Sequence, residues 1–215
     1  MECDAEHRVR IVLHLSTTAQ IIRANRRSTL SQLRSISEDL VKPTSLTIFI
    51  SSTFVDLERY REAANTAIRR LHNHAEDMIF WSADDRQPSE ASLDKVVQSD
   101  LLVLLLAHRY GTIPPDETSS IVELEYSAAR EKHIPVLAFF VEPDYPWPPH
   151  YMEFDPERRT KLLEFKRQVE SDCVRQFFTT TESLAIAITQ AIANFDRRGL
   201  LLMSQILEDA SLRSS

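Results

Sequence analysis

The chain has 215 residues, 43% of them hydrophobic and 27% charged, with a formal net charge of −7. This composition excludes a disordered or fibrous chain and fits one α/β domain of ordinary size plus an appendage. The acidic balance, without a continuous basic stripe, argues against nucleic acid as the main partner. The two glycines, Gly111 and Gly199, exclude both common glycine-rich phosphate loops. No run reaches the roughly 18 apolar residues of a membrane span, and the N-terminus lacks a signal-peptide apolar region. Cys3 and Cys173 form neither a metal-ligand spacing nor a disulfide framework, which fits a reducing cytoplasm.

Residues 5–41 carry apolar positions at helical spacing and read as a helical appendage over 1–43, closed by Lys42-Pro43. Arg23, Arg26, Arg27 and Arg34 make a local basic face, either a docking surface for an acidic partner or a solvated helix face. Leu46 to Ile50 is the first expected strand. It runs into Ser51, Ser52, Thr53 and Phe54, and then a helix over Asp56 to Ala75. Hydroxyl residues at a strand end before a helix form either an anion-binding nest or a simple helix cap. Asp77 to Trp81 reads as a second strand, followed by a loop through Asp84 and a helix over Glu90 to Gln98.

Leu101 to Leu106 is an unbroken apolar run, as in a strand buried on both faces. A polar loop from Arg109 follows, then Ser119 or Ser120 as N-cap, a helix over Ile121 to Lys132, and a buried strand at Val136 to Val141. Trp147 and Tyr151, in a proline-rich stretch, either stack on a ligand or pack a loop over the core. Asp155 caps a helix from Pro156 to about Ser171; Val174 to Phe178 reads as an edge strand and Thr181 to Asn194 as a helix. A further short helix is expected over 199–215, with an apolar face that requires a partner. Strands alternating with helices call for a parallel sheet with right-handed crossovers, in which ligands bind beyond the carboxyl ends of the strands.

The chain has no HExxH, CxxC or GxSxG pattern, so no metal site is expected and carboxylates remain for chemistry. Glu125 lies about one turn into its helix and shares a face with Ile121, Ala128 and Ala129. It is expected at the core margin, partly desolvated, with raised proton affinity or a cationic partner such as Arg109. Such a group can stabilise or attack an oxocarbenium-like centre, or serve as a structural acceptor. Glu123, two residues earlier, faces elsewhere.

Ile48 to Phe54, Asp56-Leu57, Arg61, Ser99-Asp100, Arg109-Tyr110-Gly111, Glu123-x-Glu125-Tyr126-x-x-Ala129 and Ile134-Pro135-Val136 occur in order. Together they resemble a domain found N-terminal to STAND (NACHT-type) NTPases, related to Toll/interleukin-1 receptor (TIR) domains and nucleoside 2-deoxyribosyltransferases. The resemblance covers about residues 46–142 and implies a flavodoxin-like, TIR-like sheet of about five strands, with helices on both faces, over 44–196. The segment 197–215 is then a helical tail. It implies cytoplasmic cleavage of the N-glycosidic bond of NAD or a related nucleotide, with Glu125 catalytic. Ser51, Ser52, Thr53, Phe54, Asp84, Arg109, Tyr110 and Gly111 would bind the nucleotide, which is substrate rather than cofactor. Homo-oligomerisation, an NTPase or sensor module and a role in defence are the implied partners and setting. Ser127 stands where the transferases carry glycine. The alternative implication is a non-catalytic signalling and self-association domain.

Overall fold

The computed structural model describes residues 45–77 and 88–212, with side chains described through Arg197 and at Gly199. The expected helices over 5–41, and Asp84, lie outside the described residues. In chain order the elements are β1 (Thr47–Ser52), α1 (Glu58–Arg70), β2 (His74–Glu76), α2 (Pro88–Gln98), β3 (Leu101–Leu106) and α3 (Ile121–Glu131). There follow β4 (Val136–Val141), a 3₁₀ turn (Pro149–Tyr151), α4 (Pro156–Asp172), β5 (Arg175–Phe178) and α5 (Thr181–Leu212).

All strand pairs are parallel and the order is β2-β1-β3-β4-β5. This is the flavodoxin-like doubly wound order, whose switch point lies between β1 and β3. Central β3 is buried along its whole length because both of its faces are covered. Leu101, Val103 and Leu105 point into one layer with Ala64 and Ile68 of α1 and Leu184, Ile188 and Ile192 of α5. Leu102, Leu104 and Leu106 point into the other, with Val96 of α2, Tyr126 of α3 and Phe165 of α4. Each fully buried leucine contributes about 2 kcal/mol of apolar transfer. Strand β4 lies beside β3 in the register Leu102↔Val136 to Leu106↔Phe140. Its first two residues, Val136 and Leu137, are half-buried rather than enclosed.

Strand alternation also sorts β1: Ile48 and Ile50 enter the first layer and Phe49 the second. Ser51 therefore faces the second layer, towards α2 and α3. The caps on that side are as expected: Ser120 accepts from Glu123 N–H at the start of α3, and Asp155 from Arg158 N–H at the start of α4.

Two boundaries differ from the sequence pattern. Helix α1 stops at Arg70 rather than Ala75, and β2 occupies His74–Glu76, ahead of the expected Asp77 to Trp81, of which all but Asp77 lies outside the described residues. The cause is His72, which adopts φ 61. His72 N–H then bonds Arg69 C=O and Asn73 N–H bonds Ile68 C=O, the paired bonds of a Schellman stop. Asn73 Oδ1 accepts from Leu46 N–H at 2.9 Å, so the new strand starts in register with β1. His133, at φ 55, ends α3 in the same way, with bonds from His133 N–H to Arg130 C=O and from Ile134 N–H to Ala129 C=O. Histidine is enriched in left-handed conformation, though less than glycine. At the other end of the chain, α5 runs unbroken through Gly199 instead of dividing into two helices. One interior glycine costs about 1 kcal/mol relative to alanine, too little to break a helix flanked by strong helix formers.

His72 is solvent-exposed, so its backbone conformation should dominate any substitution. His72→Val should lower stability by about 1–2 kcal/mol, because a β-branched residue is strained at this φ. His72→Gly should be neutral or stabilising. Urea denaturation midpoints test both; an unchanged His72→Val midpoint would remove the Schellman stop as the reason for the early end of α1.

Candidate functional site at the β1–β3 switch point

The carboxyl ends of β1 and β3 lie side by side at the switch point, where a doubly wound sheet places its ligand crevice. After β1 come Thr53, Phe54, Val55 and Asp56; after β3 come Ala107 to Gly111. Gly111 has φ 93, and a Cβ there would stand 3.1 Å from Thr53 Cγ2. Glycine is therefore required both for its backbone angle and for contact between the two loops.

Below this crevice Glu125 is only 1% exposed. Ser51 Oγ, at the end of β1, donates to Glu125 Oε2 at 2.5 Å. Ser92 Oγ, on α2, donates to Glu125 Oε1. One carboxyl thus joins β1, α2 and α3. Burial drives its pKa up to about 7; the two serine hydroxyls oppose that rise and the charge of Asp77 adds to it. The side chain lies deeper than a core-margin residue, and its partners are serines rather than Arg109. Arg109 instead acts on Asp56, where its charge favours the ionised carboxylate.

Arg61 of α1 organises the β1 loop and is 2% exposed. Its Nη1 donates to Thr53 C=O at 2.9 Å, Phe54 C=O at 3.1 Å and Ser52 Oγ at 3.3 Å. Its Nε lies 3.4 Å from Asp77 Oδ1 beyond β2, and its guanidinium stands 4.7 Å from the centre of the Phe54 ring. Helix α1 begins at an N-cap, Leu57, with no side-chain cap, so neither Ser52 nor Thr53 caps it. The Thr53–Phe54 backbone turns its carbonyls to a cation.

Tyr110 is 2% exposed, but its hydroxyl points to the start of α3. It hydrogen-bonds Glu123 Oε2 and accepts from Ser120 N–H at 3.3 Å. Burial, then Glu123, raises its pKa. Glu123 and Tyr110 border a separate groove of about 320 Å³ with Lys161, Glu164 and Gln168 of α4. Glu123 and Glu125 thus face different surroundings. Of the expected nucleotide-binding set, Ser51, Ser52, Thr53, Phe54, Arg109 and Gly111 gather at the crevice. Phe54 is 56% exposed there. Asp56, Arg61, Asp77 and Ser92 were not among the expected site residues. Asp56 and Arg61 stand in the ordered motif set, but the positions of Asp77 and Ser92 depend on tertiary pairing.

The fold and the crevice define a flavodoxin-like α/β domain with a buried carboxyl under its switch point. Residues 47–193 match the family described as a domain of unknown function (DUF4062), and the chain belongs to that family. No curated protein sequence matches it significantly. Among solved structures it is similar to the TIR domains of the activated Roq1 resistosome directly recognizing the pathogen effector XopQ. That match has 15% identity, covers 77% of this chain and 99% of that one, and has a TM-score of 0.40. It is also similar to a flavodoxin-like domain from a Synechococcus sp. protein, at 14% identity, 70% and 99% coverage and a TM-score of 0.35. The fold assignment stands on strand order and connectivity.

The raised pKa of Glu125 has a consequence for stability. A carboxyl moved from 4.5 to about 7 on folding favours the folded state fully below the unfolded value. That contribution is lost as pH rises towards 7, a change on the order of 3 kcal/mol. Glu125→Gln should flatten this part of the stability curve. Urea midpoints at pH 5 and pH 8 check it; equal pH slopes for the two proteins would exclude Glu125 as their source.

Proposed function

We propose that the domain is a TIR-like effector that cleaves the N-glycosidic bond of NAD or a related nucleotide, with Glu125 as the reacting carboxyl. The observation that carries this reading is a carboxyl held by two serine hydroxyls directly beneath the switch point, with its proton affinity raised to about 7. At that value both protonation states are populated near neutrality, as acid–base and nucleophilic roles require. The ionised form stabilises positive charge at the anomeric carbon, or attacks it, as the nicotinamide leaves with the bonding electron pair. Water then supplies hydroxide to the sugar and a proton to the medium. Thr53, Phe54 and Arg109 line the nucleotide's path, and Ser51 and Ser92 aim the carboxyl.

Glu125 is enclosed, so the reaction requires α2 or the β1 loop to shift. Assembly of several copies supplies that switch, in a cytoplasmic STAND-type defence protein. The same enclosure favours a second reading, a non-catalytic self-association domain in which Glu125 only accepts the two serine hydroxyls. Phe54 and Val55, 56% and 55% exposed, would then belong to the contact face.

Concentrated protein incubated with NAD, followed by chromatography for nicotinamide, separates the readings. Glu125→Gln should reduce nicotinamide release about a hundredfold or more while keeping the fold. Glu123→Gln should do far less, because it turns away by about 200° along the helix. Activity should rise as pH passes through 7. Full activity in Glu125→Gln would exclude the catalytic assignment, and inactivity of the wild type in every assembled state would leave the self-association reading.

A further inference from the structure

The loop after β1 holds a second buried carboxyl, Asp56, whose surroundings are incomplete. Asp56 is 5% exposed, Thr53 6% and Arg61 2%. Both carboxylate oxygens of Asp56, the hydroxyl of Thr53 and Nη2 of Arg61 are buried without a hydrogen-bond partner, while Arg61 Nε is ion-paired with Asp77 at 3.4 Å. The Thr53 hydroxyl and Asp56's own N–H lie next to the carboxylate without reaching hydrogen-bonding geometry. Buried polar atoms are satisfied in the great majority of cases, so a concentration of orphans at one place marks a missing group.

Charge limits what that group is. Arg109 and Arg61 both act on Asp56, so a metal ion or ammonium would meet two guanidinium groups. Among the described residues no cluster of three metal-ligating side chains exists. A phosphate would meet the carboxylate. What fits is a neutral group with two hydrogen-bond donors for the two carboxylate oxygens and acceptors for the Thr53 hydroxyl and an arginine N–H. A vicinal diol has two O–H donors side by side and an acceptor on each oxygen. A carboxamide carries both donors on one nitrogen, directed apart, and serves the two oxygens of one carboxylate poorly.

We propose that Asp56, with Thr53 and the Arg61 and Arg109 guanidinium groups, binds the 2′,3′-diol of a ribose. The domain therefore selects ribonucleotides over their deoxy counterparts. This rests on the reading that the crevice takes a nucleotide, and it adds the ribose subsite. Close approach of the two loops at Gly111 and Thr53 would let both contact a sugar bound there. Burial raises the pKa of Asp56, with the two arginines opposing; hydroxyl donors would favour the ionised form further.

The test is equilibrium binding by calorimetry in the full chain carrying Glu125→Gln, which prevents turnover. The probes are nicotinamide mononucleotide and its 2′,3′-dideoxy counterpart. The ribonucleotide should bind about tenfold or more tightly, as for two hydrogen bonds to a charged acceptor. Adding Asp56→Asn should abolish that preference, and adding Thr53→Val, which keeps the methyl contact with Gly111, should reduce it. Thermal melting of the apo proteins checks that each variant is folded at the binding temperature. Equal binding of the two probes, or a preference unchanged by Asp56→Asn, overturns the diol subsite and leaves nucleotide binding intact. Absence of binding by either probe overturns nucleotide binding, and the subsite with it.

Discussion

The buried guanidinium of Arg61 ties the crevice together. It reaches from α1 to two carbonyls of the β1 loop and to Asp77 beyond β2, so one side chain fixes three segments. Arginine suits this role because its planar fork carries several donors and stays charged when desolvated. Lysine would supply one compact ammonium and could not satisfy both carbonyls and a carboxylate from the same position. Burial nevertheless lowers the pKa of Arg61, and Asp77, Glu58 and Asp56 oppose that shift. The acidic residues around the crevice are thus part of the scaffold for this cation.

Much of the fold was legible in the sequence because the relevant signals are local. The runs Leu101–Leu106 and Val136–Val141 are apolar on both faces, which only a covered parallel strand requires. Ser120 and Asp155 announced helix starts. The early end of α1 was hidden because its stop residue is His72, whereas stop signals are sought at glycine. The expected break at Gly199 failed for the complementary reason: glycine permits a turn without demanding one.

The site was legible only in part. Helical spacing placed Glu125 on an inward face, but the depth of its burial depends on Ser51 and Ser92, which are 74 and 33 residues away in the chain. No periodicity carries that information. Arg109 was visible as a cation at the end of β3, yet its field falls on Asp56, an assignment that depends on how the β1 and β3 loops meet. Two buried carboxyls, one on α3 and one in the loop after β1, consequently differ in state. Glu125 has a hydroxyl donor on each oxygen and no adjacent guanidinium, whereas Asp56 has guanidinium charge nearby and no hydrogen bond. Environment separates their chemistry more than residue type does.

The distribution of the Glu125 partners also bears on how the chain folds. Strand β1 is the first of the described elements but lies inside the sheet, with β2 on one side and β3 on the other. Its β2 edge closes through the single α1 crossover, while its β3 edge waits for a more distant segment, which is slower because more chain entropy must be lost before the contacts form. Ser51 reaches its partner only when α3 arrives, later still. On a ribosome the carboxyl would emerge charged in water and gain its raised proton affinity only as the second helical layer closes over it. Burial of Glu125 is therefore a late, proton-consuming event in the life of each new chain.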